Sequence, residues 1–217
     1  MTWAVLADDF TGALDTGLQF ARHGLKTIFE LGISKTDSEA IVLSSDSRSL
    51  PPEAAAAAAA ETANQAAVSA DYFYKKIDST LRGNIGPELA AIMANTDSSI
   101  CILAPAYPAQ GRTTIGGIQY IHGCRITTTE ISKDPQAPVI NDNIIDLIAS
   151  TSNLTPALLP LATTRRGPQY IARCLQELET IADVIVADAE TDGDLAAIAQ
   201  AARLSSMDQL TAGSAGL

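Results

Sequence analysis

Short continuous apolar runs alternate along the chain with longer segments whose apolar positions recur at helical spacing. Strands are expected at residues 2–7, 26–31, 40–44, 71–77, 98–104, 156–161, 183–187 and 209–212. Runs of this kind, with little polar alternation, suit strands buried on both faces. Helices are expected at residues 12–23, 52–70, 85–94, 143–150, 167–180 and 192–204. Gly24 after His23 is a stop signal, and Pro51-Pro52 opens an alanine run at 54–60 that should form a helix packed closely on the sheet. The alternation predicts βα units and an α/β fold: a mostly parallel sheet flanked by helices on both faces, a Rossmann-like three-layer arrangement. Its core should include Val5, Leu6, Ile28, Val42, Leu43, Phe73, Ile102, Leu103, Val184 and Val186. Residues 105–138 are the least regular part, and no internal repeat or linker stands out.

This pattern sets polar segments at the expected carboxyl ends of strands, the rim where open parallel sheets bind ligands. Asp8-Asp9-Phe10-Thr11-Gly12-Ala13 follows the first strand and Ser45-Asp46-Ser47-Arg48 the third. Lys75-Lys76-Ile77-Asp78-Ser79-Thr80-Leu81-Arg82-Gly83-Asn84 closes the fourth, and the segment from Pro105 to Thr114 follows the fifth. Forked donors, point-charge donors, a carboxylate and hydroxyls together suit a small polyhydroxy anion. The same decapeptide could instead be a solvated, helix-capping loop with Lys75 and Lys76 as surface charge. Asp9 or Thr11 could cap the following helix, but two adjacent carboxylates exceed that need. Asp8 or Asp9 is thus a candidate to hold hydroxyls, orient a metal-bound water or act as a base. Arg48 could pair locally with Asp46, and Gln110 and Arg112 lie in a proline-stiffened loop that could be a plain crossover.

Composition narrows the partners. The 217 residues are 47% hydrophobic, enough to bury a sizeable core, and carry a net charge of −11, which repels nucleic acid and anionic membranes. Of 14 Lys and Arg, five (Arg48, Lys75, Lys76, Arg82 and Arg112) lie in or beside the rim segments, which suggests a small anionic ligand rather than a polymer, the alternative being chance clustering in segments chosen partly for their charge. The N-terminus lacks a basic lead-in and no run approaches ~20 apolar residues, so a soluble, cytoplasmic chain is expected. Three scattered cysteines read as reduced, and no metal ligand set is expected. His23 and His122 accompany no nucleophile motif, which argues against a Ser-His-Asp hydrolase. No dinucleotide fingerprint follows a strand, and the glycine spacing of 12–17 continues as Leu18-Gln19 rather than Lys-Ser/Thr, so the chain shows no ATP site of its own.

Four segments then become informative together: Ala7-Asp8-Asp9-Phe10-Thr11-Gly12-Ala13, the stretch from Lys76 to Asn84, Pro105-Ala106-Tyr107-Pro108 with Gly111-Arg112-Thr113, and Gly213-Ser214-Ala215-Gly216-Leu217. They resemble the N-terminal domain of the four-carbon acid sugar kinase family. The resemblance implies half of a two-domain α/β enzyme that phosphorylates threonate, erythronate or 3-oxo-tetronate with ATP. Residues 1–217 would be a single sugar-acid-binding domain, ending where a C-terminal nucleotide-binding domain is expected. ATP and Mg would be bound mainly by that domain, in cis or as a separate chain, and the remaining partner is a small-molecule sugar acid. Carried over by position, the family's substrate contacts fall on Asp8 or Asp9, on Arg48, and on Lys76, Ile77, Asp78 and Ser79 with Arg82 and Asn84 beside them. Arg48, Lys76 and Arg82 would hold the substrate carboxylate and hydroxyls, while Asp8 or Asp9 would orient or deprotonate the attacking hydroxyl; the family does not choose between them, and Asp8 is taken as the base with Asp9 as a contact. Gln110 and Arg112 join them from the loop reading. The alternatives are a sugar-acid-binding or regulatory module without chemistry, and an interaction module whose motifs are idle.

Overall fold

The computed structural model describes residues 1–29 and 38–217. The first half runs β1 (Trp3–Ala7), α1 (Phe10–Arg22), β2 (Thr27–Phe29), β3 (Ala40–Ser44), α2 (Pro52–Ala67), β4 (Tyr72–Lys76), α3 (Ile85–Asn95) and β5 (Cys101–Ala104). Three short strands follow, β6 (Arg112–Ile115), β7 (Ile118–Ile121) and β8 (Cys124–Arg125). The chain then continues through α4 (Ile144–Thr151), β9 (Pro156–Leu159), α5 (Leu161–Thr164), α6 (Pro168–Leu178), β10 (Val184–Ala187), α7 (Asp192–Leu204) and β11 (Leu210–Gly213). The eight-stranded sheet has the order β2-β3-β1-β4-β11-β5-β10-β9, with every pairing parallel. Each expected strand and helix is present; residues 30 and 31 of the second expected strand lie outside the described residues. The run expected at 156–161 is corrected at its end, because Leu161 opens α5.

Strand alternation sorts the core. Ala4, Leu6, Ile41, Leu43, Phe73, Leu103 and Val186 face α2, α3 and α4, where Ala59, Ala63, Leu89, Ile92 and Ile148 meet them. The small alanines let α2 lie close to the sheet, as its composition predicts. On the other face Val5, Val42 and Tyr74 meet Ala13 of α1, while Ile102 and Ile185 meet Ile171, Leu175, Leu195 and Ile198 of α6 and α7. The expected core residues are buried, apart from Ile28, which is half-buried on the edge strand. Between α1 and α7 an apolar seam of about 220 Å³ remains, lined by Trp3, Phe20, Tyr74 and Leu217 among others.

The region 105–138 is more ordered than its sequence suggests. Strands β6, β7 and β8 form an antiparallel sheet, Arg112 opposite Ile121 and Ile115 opposite Ile118. Gly116 and Gly117 make the turn with φ of +63° and +72°, the left-handed values a two-residue hairpin demands. Asp188 ties this turn to the main sheet by accepting the N–H groups of Gly116 at 2.7 Å and Gly117 at 2.9 Å.

Candidate functional site

Strands β1 and β4 are adjacent, yet their connections leave in opposite directions, the first toward β2 and β3 and the second toward β5. Chain segments diverging from neighbouring strand ends open a crevice there. Its volume is about 590 Å³, and it is lined by Asp9, Thr11, Gly12 and Asp15 from α1 and its approach, Arg48 after β3, Lys76, Asp78, Ser79 and Arg82 at the end of β4, Tyr107, Gln110 and Arg112 after β5, and Ser214 and Ala215 after β11.

The first motif divides its carboxylates. Asp8 is 3% exposed and lies beneath the crevice, both oxygens taken by Arg48: Nε donates to Oδ2 at 2.8 Å and Nη2 to Oδ1 at 2.9 Å. Asp9 faces the crevice, where Oδ1 accepts from Arg48 Nη2 at 2.7 Å and from the Gly12 N–H at 3.0 Å, capping α1. Arg48 therefore pairs with Asp8 and Asp9 rather than Asp46. Burial works against its charge, but the bonds and field of Asp8, with Asp78 and Asp9 behind, raise its pKa further. Asp8, the base expected from the sequence, is thus buried and absent from the crevice lining, with both oxygens engaged by Arg48.

Period-two alternation splits the adjacent lysines of β4. Lys75 shares a face with Phe73 and Ile77 and meets Glu88 of α3 inside the core, so it is not surface charge. Lys76 points to the α1 face and lines the crevice at 6% exposure, its Nζ donating to the Ile77 carbonyl at 3.0 Å. Burial lowers its pKa against the pull of Asp8, Asp78 and Asp9. Gly12 leaves it room: a Cβ there would stand 2.9 Å from Lys76 Nζ and 2.5 Å from Asp9 Oδ1.

Asp78 organises the loop after β4. Its Oδ2 accepts from Thr80 and from Arg82 Nε at 2.6 Å, and Arg82 reaches on to Asp134 at 3.2 Å. Burial alone would raise the Asp78 carboxyl, but the bonds from Arg82 and Thr80 outweigh it and hold the group below the usual range. Leu81 adopts φ +62°, an uncommon conformation for a branched residue that its buried side chain and these bonds stabilise. From the small sheet, Gln119 donates to the Ser79 carbonyl at 2.8 Å while accepting from Thr114 at 2.6 Å. After β5, Arg112 Nη1 donates to the Gln110 carbonyl at 2.7 Å and to Gln110 Oε1 at 3.0 Å. The C-terminal turn is fixed by Ser214 Oγ, which donates to the Ala106 carbonyl at 2.8 Å.

Of the expected contacts, Asp9, Arg48, Lys76, Asp78, Ser79, Arg82, Gln110 and Arg112 share the crevice. Two do not. Ile77 is a core side chain at 1% exposure, and Asn84 donates to the Ser47 and Leu50 carbonyls, splinting the Arg48 loop beside a neighbouring hollow. Thr11, Gly12, Asp15, Tyr107, Ser214 and Ala215 also line the crevice and were not singled out as contacts. Thr11 and Asp15 were legible as an i, i+4 pair on the helix after the first motif, and Ser214-Ala215 as the turn after the last strand. Among the described residues no group of three or more His, Cys, Asp or Glu side chains is placed to hold a metal ion. Asp9 and Asp78 are matched by arginine instead, and the glycine spacing of 12–17 lies within α1 rather than in a phosphate-cradling loop.

The fold and crevice define a doubly wound α/β unit with a charged crevice at its topological switch point. The chain belongs to the sugar-binding N-terminal domain family, whose model matches residues 3–217. It is 37% identical over its full length to a D-threonate kinase of Salmonella typhimurium, of which it covers 52%, and 35% identical over 94% of its length to a D-erythronate kinase of Heliobacterium modesticaldum, of which it covers 48%. The chain thus spans about half the length of the curated relatives it matches. Among solved structures, a Haemophilus influenzae protein superimposes with a TM-score of 0.90 at 27% identity, over 99% of this chain and 54% of that one. A Bordetella bronchiseptica protein with bound citrate, a domain-swapped dimer, gives 0.86 at 29% identity, over 100% of this chain and 55% of that one.

Proposed function

We propose that this chain is the substrate-binding half of an ATP-dependent kinase acting on a four-carbon sugar acid. The supporting observation is the convergence of the strand-end loops on one crevice that sets carboxylates beside arginine and lysine. Family membership, the tetronate kinases among the relatives and the citrate in a solved relative favour the same ligand chemistry. No helix among the described residues is long and apolar enough to cross a membrane, and a cytoplasmic location is part of this reading.

Phosphoryl transfer asks a protein mainly for positioning and charge stabilisation. Asp9 is the carboxylate we assign to the reacting hydroxyl: Oδ1 is held by Arg48 and Gly12, which leaves Oδ2 to orient that hydroxyl and take its proton. Asp8 positions Arg48, and Lys76 with Asp78 and Ser79 surrounds the remaining hydroxyls. ATP and Mg do not fit the groups described in this chain, which include neither a phosphate-cradling loop nor a carboxylate cluster free of arginine. We assign them to the second half that the doubled length of the relatives allows.

Calorimetric titration with D-threonate, D-erythronate and 3-oxo-tetronate tests the reading. Saturable heat is expected with at least one tetronate in the absence of nucleotide, and no ADP release when Mg-ATP is added to this chain alone. Silence with all three would remove the sugar-acid assignment. Turnover by the isolated chain would overturn its reading as a half. The crevice lacks a nucleotide cradle among its described residues, which favours, as the second reading, a module that binds without chemistry. Tetronate heat that survives in a full-length protein inert toward Mg-ATP would select it.

A further inference from the structure

Among the described residues, three arginines grip an aspartate with the same edge. Arg48 presents Nε and Nη2 to the two oxygens of Asp8, Arg82 does so to Asp78, and Arg125 to Asp142. That edge places two parallel donors at the spacing of a carboxylate, which is why such pairs are bidentate. Arg112 departs from the pattern. Its Nη1 is spent on Gln110, and among the described residues its Nε is buried with no hydrogen-bond partner and no carboxylate pairs with it. A buried donor without an acceptor is unfavourable and rare. Here it belongs to a crevice-lining arginine whose Nε/Nη2 edge is uncommitted.

Its neighbours hold the guanidinium in place. Gly111 takes φ +70°, and a Cβ on it would stand 2.3 Å from His122 Nδ1, so the loop packs tightly just before Arg112. The two bonds to Gln110 then anchor the Nη1 side and leave the opposite edge as the unused one. The sheet order separates this edge from the carboxylates of the first motif: Arg112 follows β5, Asp8 and Asp9 follow β1, and β4 and β11 lie between. The other crevice cations are already answered, Arg48 and Arg82 by aspartates and Lys76 by a carbonyl within the field of three carboxylates.

Resting on the sugar-acid reading above, we propose that the Nε/Nη2 edge of Arg112 is the berth for the ligand's carboxylate, and so the residue that separates sugar acids from neutral polyols. The ligand then lies across the ends of β11 and β4, its acid end at Arg112 and its hydroxyls toward Lys76 and Asp9. Gln110 acts as a positioning residue, since it touches the ligand only through the guanidinium it anchors.

The test is a set of calorimetric titrations of wild type, Arg112→Gln and Arg112→Lys with D-threonate, D-threitol, citrate and inorganic phosphate, each variant first shown by thermal unfolding to be folded. Wild type should bind D-threonate well above D-threitol. Arg112→Gln should weaken D-threonate by about 30-fold, as expected for loss of a charge-assisted pair, while leaving the weak D-threitol binding unchanged. Arg112→Lys keeps the charge and loses the fork, so it should fall between the two. An unaltered threonate-to-threitol ratio in Arg112→Gln, or an equal loss for both, would overturn the proposal, and so would a preference for phosphate over the carboxylates. If no tetronate binds but citrate does and depends on Arg112, the berth stands and the sugar-acid reading falls. If nothing binds, both fall.

Discussion

Lys75 Nζ and Glu88 Oε2 meet at 2.5 Å between β4 and α3, each side chain 1% exposed. Glu88 also accepts from Ser47 Oγ at 2.7 Å, and Ser47 precedes the arginine that binds both aspartates of the first motif. An ion pair inside the core therefore fastens the loop that carries Arg48. Breaking such a pair from one side leaves an uncompensated buried charge, whereas replacing both members by apolar residues is often tolerated. Glu88→Gln and Lys75→Met should each lower stability by about 3–5 kcal/mol in urea unfolding. Lys75→Met with Glu88→Leu should recover most of that loss, yet still weaken tetronate binding, because Ser47 loses its acceptor. Single variants as stable as wild type would show that the pair is dispensable.

Acid should loosen the rim through Asp78. Its folded pKa lies below the ordinary 3.8 because the hydrogen bonds of Arg82 and Thr80 overcome the opposing effect of burial. The folded protein thus holds this proton less tightly than the unfolded chain. The resulting stability is complete above about pH 4 and disappears as pH falls through the folded value. Asp78→Asn should cost about 2 kcal/mol at pH 7 and less at pH 3. Denaturant midpoints at the two pH values read the difference, and an equal loss at both would contradict the assignment.

Gly12→Ala separates fold from function. Alanine is favoured over glycine inside a helix by roughly 1 kcal/mol, but moving Asp9 gives up the cap of α1 at a similar cost, so the melting temperature should change little. The added methyl must displace Asp9 and Lys76, whose polar atoms stand 2.5 and 2.9 Å from where it would sit. Tetronate affinity should drop by about tenfold, a shift of roughly 1.4 kcal/mol. Undiminished affinity would mean that neither group needs its present position.

Gln119 is fully buried and lies outside the crevice lining, yet it fixes the Ser79 carbonyl. Gln119→Leu should leave that carbonyl and Thr114 without their present partner, at about 1–3 kcal/mol in thermal or urea unfolding. Amide hydrogen exchange should rise at residues 79–83 relative to the α2 and α3 core. Protection unchanged in that loop would show that the small antiparallel sheet does not support it.

Much of this architecture was legible because parallel strands covered on both faces must be apolar along their length, as Ala4-Val5-Leu6-Ala7 and Cys101-Ile102-Leu103-Ala104 are. The crevice was legible because polar clusters stood where those runs stopped. The hairpin at 112–121 escaped notice although Gly116-Gly117 between two four-residue runs is a hairpin signal; its polar strands, starting with Arg112-Thr113-Thr114, do not look buried. Strand period would have put Lys75 on the face of Phe73 and Ile77, but Glu88 lies 13 positions on, in a separate helix, and pairing across elements leaves no local mark. The different fates of Asp8 and Asp9 depended likewise on where Arg48 approached.

Trp3 stacks on Tyr72 and meets Phe20 edge-on at the seam between α1 and α7. It is the chain's one tryptophan. Ultraviolet emission from this protein therefore reports a single address, and wetting or filling of that seam should change its colour without any attached dye.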